Sequence, residues 1–206
     1  MVIAKEPVPG RVKTRLTPPY SPREAAELAR AALADTLAAV LAAPARRRVL
    51  VLEGAPGPWV PRGVEVVPQA GGGLDERLAA AFGQCRGPAL LIGMDTPQIT
   101  PELLRPALDP RGWTRRSAWF GPALDGGFWA LGLAEPDPAL LRGVPMSTPR
   151  TGELQRERLT AAGLTVRELP PLRDVDTARD AELVAAEAPH GRFAAALLRL
   201  APVAAR

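Results

Sequence analysis

The sequence is poor in cysteine, histidine, lysine and long apolar runs, and most of these shortages exclude a class of protein. A single cysteine, Cys85, excludes an internal disulfide bond. A single histidine, His190, leaves a Ser/His/Asp triad or a histidine metal site without a sensible candidate. The longest apolar runs are too short to span a membrane, and no basic start precedes an apolar stretch typical of a signal peptide. We therefore expect a cytoplasmic protein without a membrane span.

Length and composition favour one folded domain over residues 1–206. The chain is 47% hydrophobic and 23% charged, which is typical of a globular protein with a sizeable core. Its net charge of +4 would suit a nucleic-acid partner, but the arginines are scattered and the only dense run is Arg46 to Arg48. We therefore expect no nucleic-acid partner.

The shortage of lysine is the most informative one. Of 26 basic residues only Lys5 and Lys13 are lysine, and both lie in the segment "AKEPVPGRVKTRL". A loop that combines a glycine, which leaves backbone N–H groups free, with several cationic side chains is suited to binding a polyphosphate. Gly10, Lys5, Lys13 and Arg15 are the predicted phosphate-binding residues, although a solvated surface loop is the alternative. The loop lacks the glycine spacing of a Walker A motif.

Periodicity and turn residues predict an alternation of strands and helices. Strands are predicted at residues 1–4, 48–53, 64–67, 88–93, 117–123, 128–133 and 164–169. Helices are predicted at residues 21–43, 74–85, 101–108, 149–162, a short stretch after Thr177 and roughly 189–201. This order favours a three-layer α/β/α, Rossmann-like and mostly parallel sheet. Ligands of such sheets bind at the carboxyl ends of the strands.

Acidic residues follow three of the predicted strands. Asp95, in "GMDTP", is a candidate ligand of Mg²⁺ or Mn²⁺, or else a helix-capping residue. Asp125, in "GPALDGGFWALG", would orient an acceptor or act as a base, or else belong to a plain hairpin turn. Asp176, in "RDVDT", is a candidate second metal ligand. Because Asp174 and Asp176 alternate, we expect only one of them to enter a given site.

Four weaker candidate residues complete the set. Gln69 and Arg77 are plausible contacts of a base or a phosphate. Ser147 and Thr148, in "VPMSTPRT", precede a predicted helix whose N-terminus would suit an anion, although plain helix capping is the alternative. Four tryptophans leave room for an apolar patch, and a homodimer would be one way to cover it.

As a set, six segments resemble a known family: "AKEPVPGRVKTRL", "GGGLDERL", "IGMDTP", "GPALDGGFWALGL", "VPMSTPRT" and "LRDVDT". They resemble the bacterial GT-A-like glycosyltransferases called radical-SAM/selenodomain-associated transferase 1, or arsenosugar biosynthesis glycosyltransferases. The match covers roughly residues 3–185. More distantly, the opening loop and "DVDT" resemble molybdenum cofactor nucleotidyltransferases and phospholactate guanylyltransferases.

The resemblance implies a nucleotide-diphospho-sugar transferase (GT-A) fold and a divalent metal that bridges the phosphates of a nucleotide-activated donor. Lys5, Lys13 and Arg15 would bind phosphate, Asp95 would hold the metal, Asp125 would lie in the acceptor region, and Asp176 would complete the metal site.

We expect a metal-dependent glycosyltransferase that transfers a sugar from a nucleotide diphosphate sugar to a small-molecule acceptor. Asp95, Asp125 and Lys13 are the predicted catalytic residues. One alternative is a guanylyl- or cytidylyltransferase-like nucleotidyltransferase, which condenses a nucleoside triphosphate with a phosphorylated small molecule. The other is a non-catalytic nucleotide-binding module, which would need the cationic loop but not the acidic residues.

Overall fold

Strands and helices alternate along the chain in a computed structural model that describes residues 1–200. The strands are β1 (Val2–Lys5), β2 (Val49–Glu53), β3 (Glu65–Pro68), β4 (Ala89–Ile92), β5 (Ser117–Pro122), β6 (Phe128–Leu133) and β7 (Thr165–Glu168). The helices are α1 (Pro22–Ala42), α2 (Leu74–Gly83), α3 (Pro101–Leu108), α4 (Thr151–Ala161), α5 (Ala178–Glu187) and α6 (Arg192–Leu200). A short 3-10 helix, Thr14–Leu16, lies in the lysine-bearing loop.

The seven strands form one sheet in the order β3-β2-β1-β4-β6-β5-β7. Every neighbouring pair is parallel except the two pairs that involve β6, which runs antiparallel to β4 and β5. The predicted mostly parallel sheet is confirmed, and β5 and β6 form the predicted hairpin around "LDGG". Six strands therefore end at one edge of the sheet, where the hairpin turn lies as well.

Alternate residues of each strand pack against helices on opposite faces of the sheet. On β2, Leu50 and Leu52 join a core with α1 and α3, whereas Val49 and Val51 join a core with α2 and α4. A third apolar cluster joins α1 to α5 and α6. These layers confirm the predicted three-layer architecture, because a sheet covered on both faces buries both sets of side chains.

Helix starts follow the capping residues. The Ser21 hydroxyl accepts a hydrogen bond from the Glu24 backbone N–H, and the Glu24 carboxylate accepts one from the Ser21 backbone N–H, with Pro22 at the first position of α1. Thr177 and Asp180 form the same reciprocal pair at α5. The predicted caps are therefore confirmed, since each satisfies donors that the first turn leaves free.

Two predicted helix starts are wrong. The last helix begins at Arg192 rather than near residue 189, because the Asp35 carboxylate caps it by accepting hydrogen bonds from the Arg192 and Phe193 backbone N–H groups at 3.0 and 2.8 Å. Residue 201 of that prediction lies outside the described residues. Helix α4 begins two residues later than predicted, since the Thr151 hydroxyl accepts a hydrogen bond from the Thr148 backbone N–H in a preceding turn.

The tryptophans form no exposed patch within residues 1–200. Trp119 and Trp129 are buried, and Trp59 and Trp113 pack against the same core. The tryptophans therefore give no apolar surface that a homodimer would need to cover. No helix in the same range is long and apolar enough to cross a membrane.

Candidate functional site

A cavity of about 720 Å³ opens at the carboxyl edge of the sheet. Ser147 and Thr148 line it, and it brings together eight of the nine residues predicted to be catalytic, nucleotide-binding or metal-binding. These are Lys5, Lys13, Arg15, Gln69, Arg77, Asp95, Asp125 and Asp176. The exception is Gly10, which has a φ of +76° and does not line the cavity. Gly10 shapes the loop, since that φ favours glycine.

Lys13 lies between two of the acidic residues. Its Nζ is 2.8 Å from Asp95 Oδ1 and 3.5 Å from Asp176 Oδ1, and it donates a hydrogen bond to the Val175 carbonyl. Only 7% of its side chain is exposed. The backbone of Lys13 has a φ of 49°, in the left-handed region that a non-glycine residue rarely adopts. The loop thus holds this ammonium against the carboxylates.

Three further cations that line the cavity, Arg15, Lys5 and Arg77, are also paired with acids. Arg15 is 73% exposed and lies 3.0 Å from Asp176. Lys5 Nζ is 3.6 Å from Glu53, and the Arg77 guanidinium donates to the same Glu53 carboxylate. Sequence reasoning missed Glu53, although its place at the carboxyl end of β2 was a usable signal. Both Lys5 and Arg77 are therefore positioned by one glutamate.

Gln69 joins strands as well as lining the cavity. Its side-chain Nε2 donates to the backbone carbonyls of Ala4 and Val51 at 2.7 and 3.2 Å. These bonds tie the end of β3 across β2 to β1. The amide is held in place, and its Oε1 is buried without a partner.

Asp125 forms the hairpin turn and also lines the cavity. Its Oδ1 accepts a hydrogen bond from the Gly127 backbone N–H at 2.8 Å. The turn is packed against the start of α4, where the Gly152 backbone N–H donates to the Gly126 carbonyl. A Cβ placed on Gly126 would lie 2.0 Å from the Pro149 carbonyl oxygen. The wall that presents Asp125 is consequently rigid.

The segment after β7 returns across the sheet edge toward β4. Trp129 Nε1 donates to the Pro170 carbonyl at 3.0 Å, the Leu124 N–H to Leu172, and the Val175 N–H to the Asp95 carbonyl at 2.9 Å. Because the segment is irregular rather than extended, Asp174 and Asp176 both line the cavity. The expectation that only one of them enters the site is wrong.

Asp174 shows how strongly negative this part of the cavity is. The pKa of its carboxyl group is raised to about 7, chiefly by burial and also by the neighbouring charges of Asp95 and Asp125, while the charge of Lys13 opposes the shift. Its Oδ1 is buried and has no hydrogen-bond partner. A buried carboxyl group with a raised pKa and an unpartnered oxygen has too little positive charge near it to keep it ionised.

The donor atoms here suit a hard divalent cation. Asp95, Asp174 and Asp176 offer only oxygen, which Mg²⁺ and Mn²⁺ prefer, and the orphaned Asp174 Oδ1 is an unused ligand atom. Within residues 1–200, however, no three acidic, histidine or cysteine side chains converge closely enough to hold a metal ion. The Lys13 ammonium separates Asp95 from Asp176 instead.

Comparison with known proteins gives the family. The profile of DUF2064, described as an uncharacterized protein conserved in bacteria, matches residues 27–148, more than half of the chain. The chain belongs to the DUF2064 family. The matched part of this DUF2064 protein contains Gln69, Arg77, Asp95 and Asp125, whereas the lysine-bearing loop and the DVDT segment lie outside it. No curated protein matches the chain.

Solved structures share its fold. A candidate nucleotide-diphospho-sugar transferase from Desulfovibrio desulfuricans G20 is 25% identical, with a TM-score of 0.84 over 96% of this chain and 92% of the other. Rv0371c from Mycobacterium tuberculosis H37Rv, solved as a complex with manganese, is 22% identical, with a TM-score of 0.53 over 89% and 95%. A 2-C-methyl-D-erythritol 4-phosphate cytidylyltransferase from Thermus thermophilus is 18% identical, with a TM-score of 0.53 over 91% and 98%. The predicted nucleotide-diphospho-sugar transferase fold is confirmed.

Proposed function

We propose that this DUF2064 protein is a single-domain, nucleotide-utilising transferase, and that it moves a sugar from a nucleotide diphosphate sugar to a small-molecule acceptor. The observation that carries the proposal is the separation of charge within one cavity. Lys5, Arg11 and Arg77 lie on the side of β1 to β3, and carboxylates lie on the side of β4 to β6. One side suits the phosphates of a donor and the other suits the hydroxyl groups of an acceptor.

The chain's own residues divide the reaction between the two sides. The cations bind the diphosphate and stabilise the negative charge that develops on it as the bond from the sugar to the phosphate oxygen breaks. Asp125 accepts a hydrogen bond from an acceptor hydroxyl and takes its proton as the new carbon–oxygen bond forms. Because Asp125 is held by the Gly127 N–H, its carboxylate needs no reorganisation to do so.

A divalent cation fits the donor set described above. Asp95 and Asp176 would hold it, with Asp174 beside them. When bound, Mg²⁺ or Mn²⁺ supplies positive charge that neutralises the departing diphosphate. The Mn²⁺ complex of Rv0371c supports a divalent metal in this fold without distinguishing the two ions.

Nucleotidyl transfer is the second candidate, because the cation-rich loop suits a free triphosphate and a cytidylyltransferase shares the fold. In that reaction an acceptor phosphate attacks the α-phosphorus and pyrophosphate leaves. The acidic side of the cavity argues against it. Among the described residues, no lysine, arginine or histidine from β4 to β7 or their loops lines the cavity. Lys13 and Arg15 reach this side from the loop after β1 and are already paired with Asp95 and Asp176, so a phosphorylated acceptor would meet carboxylates there and no unpaired cation within residues 1–200.

The test is a thermal-shift panel of nucleoside triphosphates and nucleotide sugars, each with and without Mn²⁺, on wild type and Lys13→Ala. A ligand at about 100 times its Kd stabilises the folded state by roughly 2.7 kcal/mol, which is readily visible. We expect a metal-dependent shift with one nucleotide sugar that the variant loses. A shift with triphosphates alone would favour nucleotidyl transfer, and no shift with any nucleotide would overturn the proposal.

A further inference from the structure

The most unusual contact in the cavity is the one that Lys13 makes with the proposed metal ligands. Four of the cations expected to bind phosphate are engaged by carboxylates: Lys5 and Arg77 by Glu53, and Lys13 and Arg15 by Asp176. Only Lys13 bridges two acids that come from different loops, Asp95 after β4 and Asp176 after β7.

We propose that Lys13 is the resident cation of the acidic side: its ammonium neutralises Asp95 and Asp176 until a divalent cation binds between them, and it then moves to the phosphates of the donor. The inference deepens the proposed function and rests on its metal requirement. Binding of the metal would thus release Lys13 to bind the phosphates, so that the two steps are coupled.

Burial and coordination support a specific ammonium site. The Lys13 side chain is 7% exposed, against 51% for Lys5, and its Nζ has three oxygen neighbours from Asp95, Asp176 and Val175. The Val175 carbonyl accepts a hydrogen bond from the ammonium, while the two carboxylate oxygens lie at ion-pair distance and balance its charge. The ion pairs of the surface-exposed Lys5 and Arg15 have no comparable enclosure.

The same contacts explain why the metal ligands do not converge. An ammonium and a divalent cation cannot both lie between Asp95 Oδ1 and Asp176 Oδ1, because their charges repel each other at such short range. The metal site is complete only when Lys13 leaves it. The long, flexible stem of lysine permits this movement, whereas the planar fork of arginine suits a fixed pair. This gives a physical reason for lysine at residue 13 in a chain whose other cations are nearly all arginine.

The scarcity of lysine makes the exchange directly measurable. Wild-type protein labelled with ¹³C at the ε-carbon of lysine gives two side-chain signals, one from Lys5 and one from Lys13. Lys13→Gln assigns them by the loss of one signal. In a titration with MgCl₂ alone, we expect the Lys13 signal to shift in a saturable manner while the Lys5 signal stays in place. An unchanged Lys13 signal at Mg²⁺ concentrations that saturate binding by calorimetry would overturn the proposal, and so would the absence of any Mg²⁺ binding.

Two variants test whether Lys13 competes with the metal, through the affinity of the protein for Mn²⁺. Without nucleotide, we expect Lys13→Gln to bind Mn²⁺ roughly tenfold more tightly than wild type, measured by the electron paramagnetic resonance of free Mn²⁺, since a competing charge has been removed. Lys5→Gln is the matched control, because it removes the same charge from the same cavity without touching Asp95 or Asp176, and it should stay within about twofold. Equal or weaker Mn²⁺ binding by Lys13→Gln would overturn the proposal.

These measurements use metal alone, so their outcome is separable from that of the nucleotide panel. If nucleotides bind but the Lys13 signal does not shift with Mg²⁺, the proposed exchange of Lys13 for the metal is wrong, and the transferase proposal still stands. If Lys13 responds to Mg²⁺ but no nucleotide binds, the transferase proposal falls and the exchange remains as a property of a metal site.

Discussion

Along one edge of the sheet, the side formed by β1 to β3 and the side formed by β4 to β6 differ in charge and in how they are held. On the first side the Lys5 side chain is half exposed, and a Cβ placed on Gly10 or Gly71 would meet nothing within 4 Å. On the second side, Asp125 is held in a turn whose Gly126 is packed against Pro149. The first side has room to adapt to a flexible diphosphate, whereas the second is preorganised, as groups that act on a transition state need to be.

Replacing Asp95 on the acidic side should have the largest effect. We expect Asp95→Asn to lower transferase turnover about 100- to 1000-fold, the usual consequence of losing one electrostatic contact to the transition state. Donor binding in the absence of metal should stay within a few-fold, because the cationic side is intact. Release of nucleoside diphosphate and the thermal shift with donor are the two measurements. Full turnover in the variant would show that the acidic side is not the catalytic one.

The charge of Asp174, also on the acidic side, should lower the stability of the folded protein at neutral pH. Its folded-state pKa of about 7 lies above the ordinary value of 3.8, so the folded protein holds the proton more tightly and stability falls as pH rises from about 4 to about 7. Asp174→Asn removes this loss. We expect the variant to be more stable than wild type by about 2 kcal/mol at pH 8, which is half of what the full shift would give, because the side chain keeps some contact with solvent.

Urea denaturation at pH 4 and pH 8 measures this effect. The two proteins should differ little at pH 4, because Asp174 is neutral in the folded state and only about half ionised in the unfolded state, so the loss of stability has barely begun. A variant that is less stable than wild type at pH 8 would mean that Asp174 has a stabilising partner. Glu157→Gln, which removes an exposed carboxylate outside the cavity, is the matched control and should change stability by less than about 0.5 kcal/mol.

Asp125→Asn separates the turn from the chemistry. The amide oxygen of asparagine can still accept the hydrogen bond from the Gly127 N–H, so thermal stability should be unchanged. As a neutral group it is a much weaker base, and we expect kcat to fall about tenfold or more while KM for the donor stays the same. An increase in donor KM at constant kcat would instead place Asp125 on the binding side.

The smallest effect is expected on the cationic side. Lys5→Gln removes one exposed, proposed phosphate contact and should weaken donor binding about fivefold, equivalent to about 1 kcal/mol, with kcat nearly unchanged. Raising the salt concentration should narrow the difference between variant and wild type, because exposed charges are screened. Donor titrations at two salt concentrations measure both results. A loss of kcat at saturating donor would contradict the division of roles.

Local patterns were sufficient for most of the fold. Capping residues such as Ser21 and Thr177 placed helix starts because they act on backbone groups within the next three residues. The hairpin followed from "LDGG" and the parallel order from the alternation of elements. The start of α6 could not be predicted, since its cap, Asp35, is 157 residues away in the sequence.

The sequence by itself determined which residue types stand at the carboxyl ends of the strands, and hence most of the residues that line the cavity. The tertiary structure alone decided how these residues are paired. It returns residues 170–176 across the sheet edge so that Asp174 and Asp176 both line the cavity, it forms the ion pairs of Glu53, and it places Lys13 between two acids. The physical reason is distance along the chain. A strand end or a cap is set by neighbours a few residues away, whereas the bond from Lys13 to Val175 spans 162 residues and exists only once the sheet has formed.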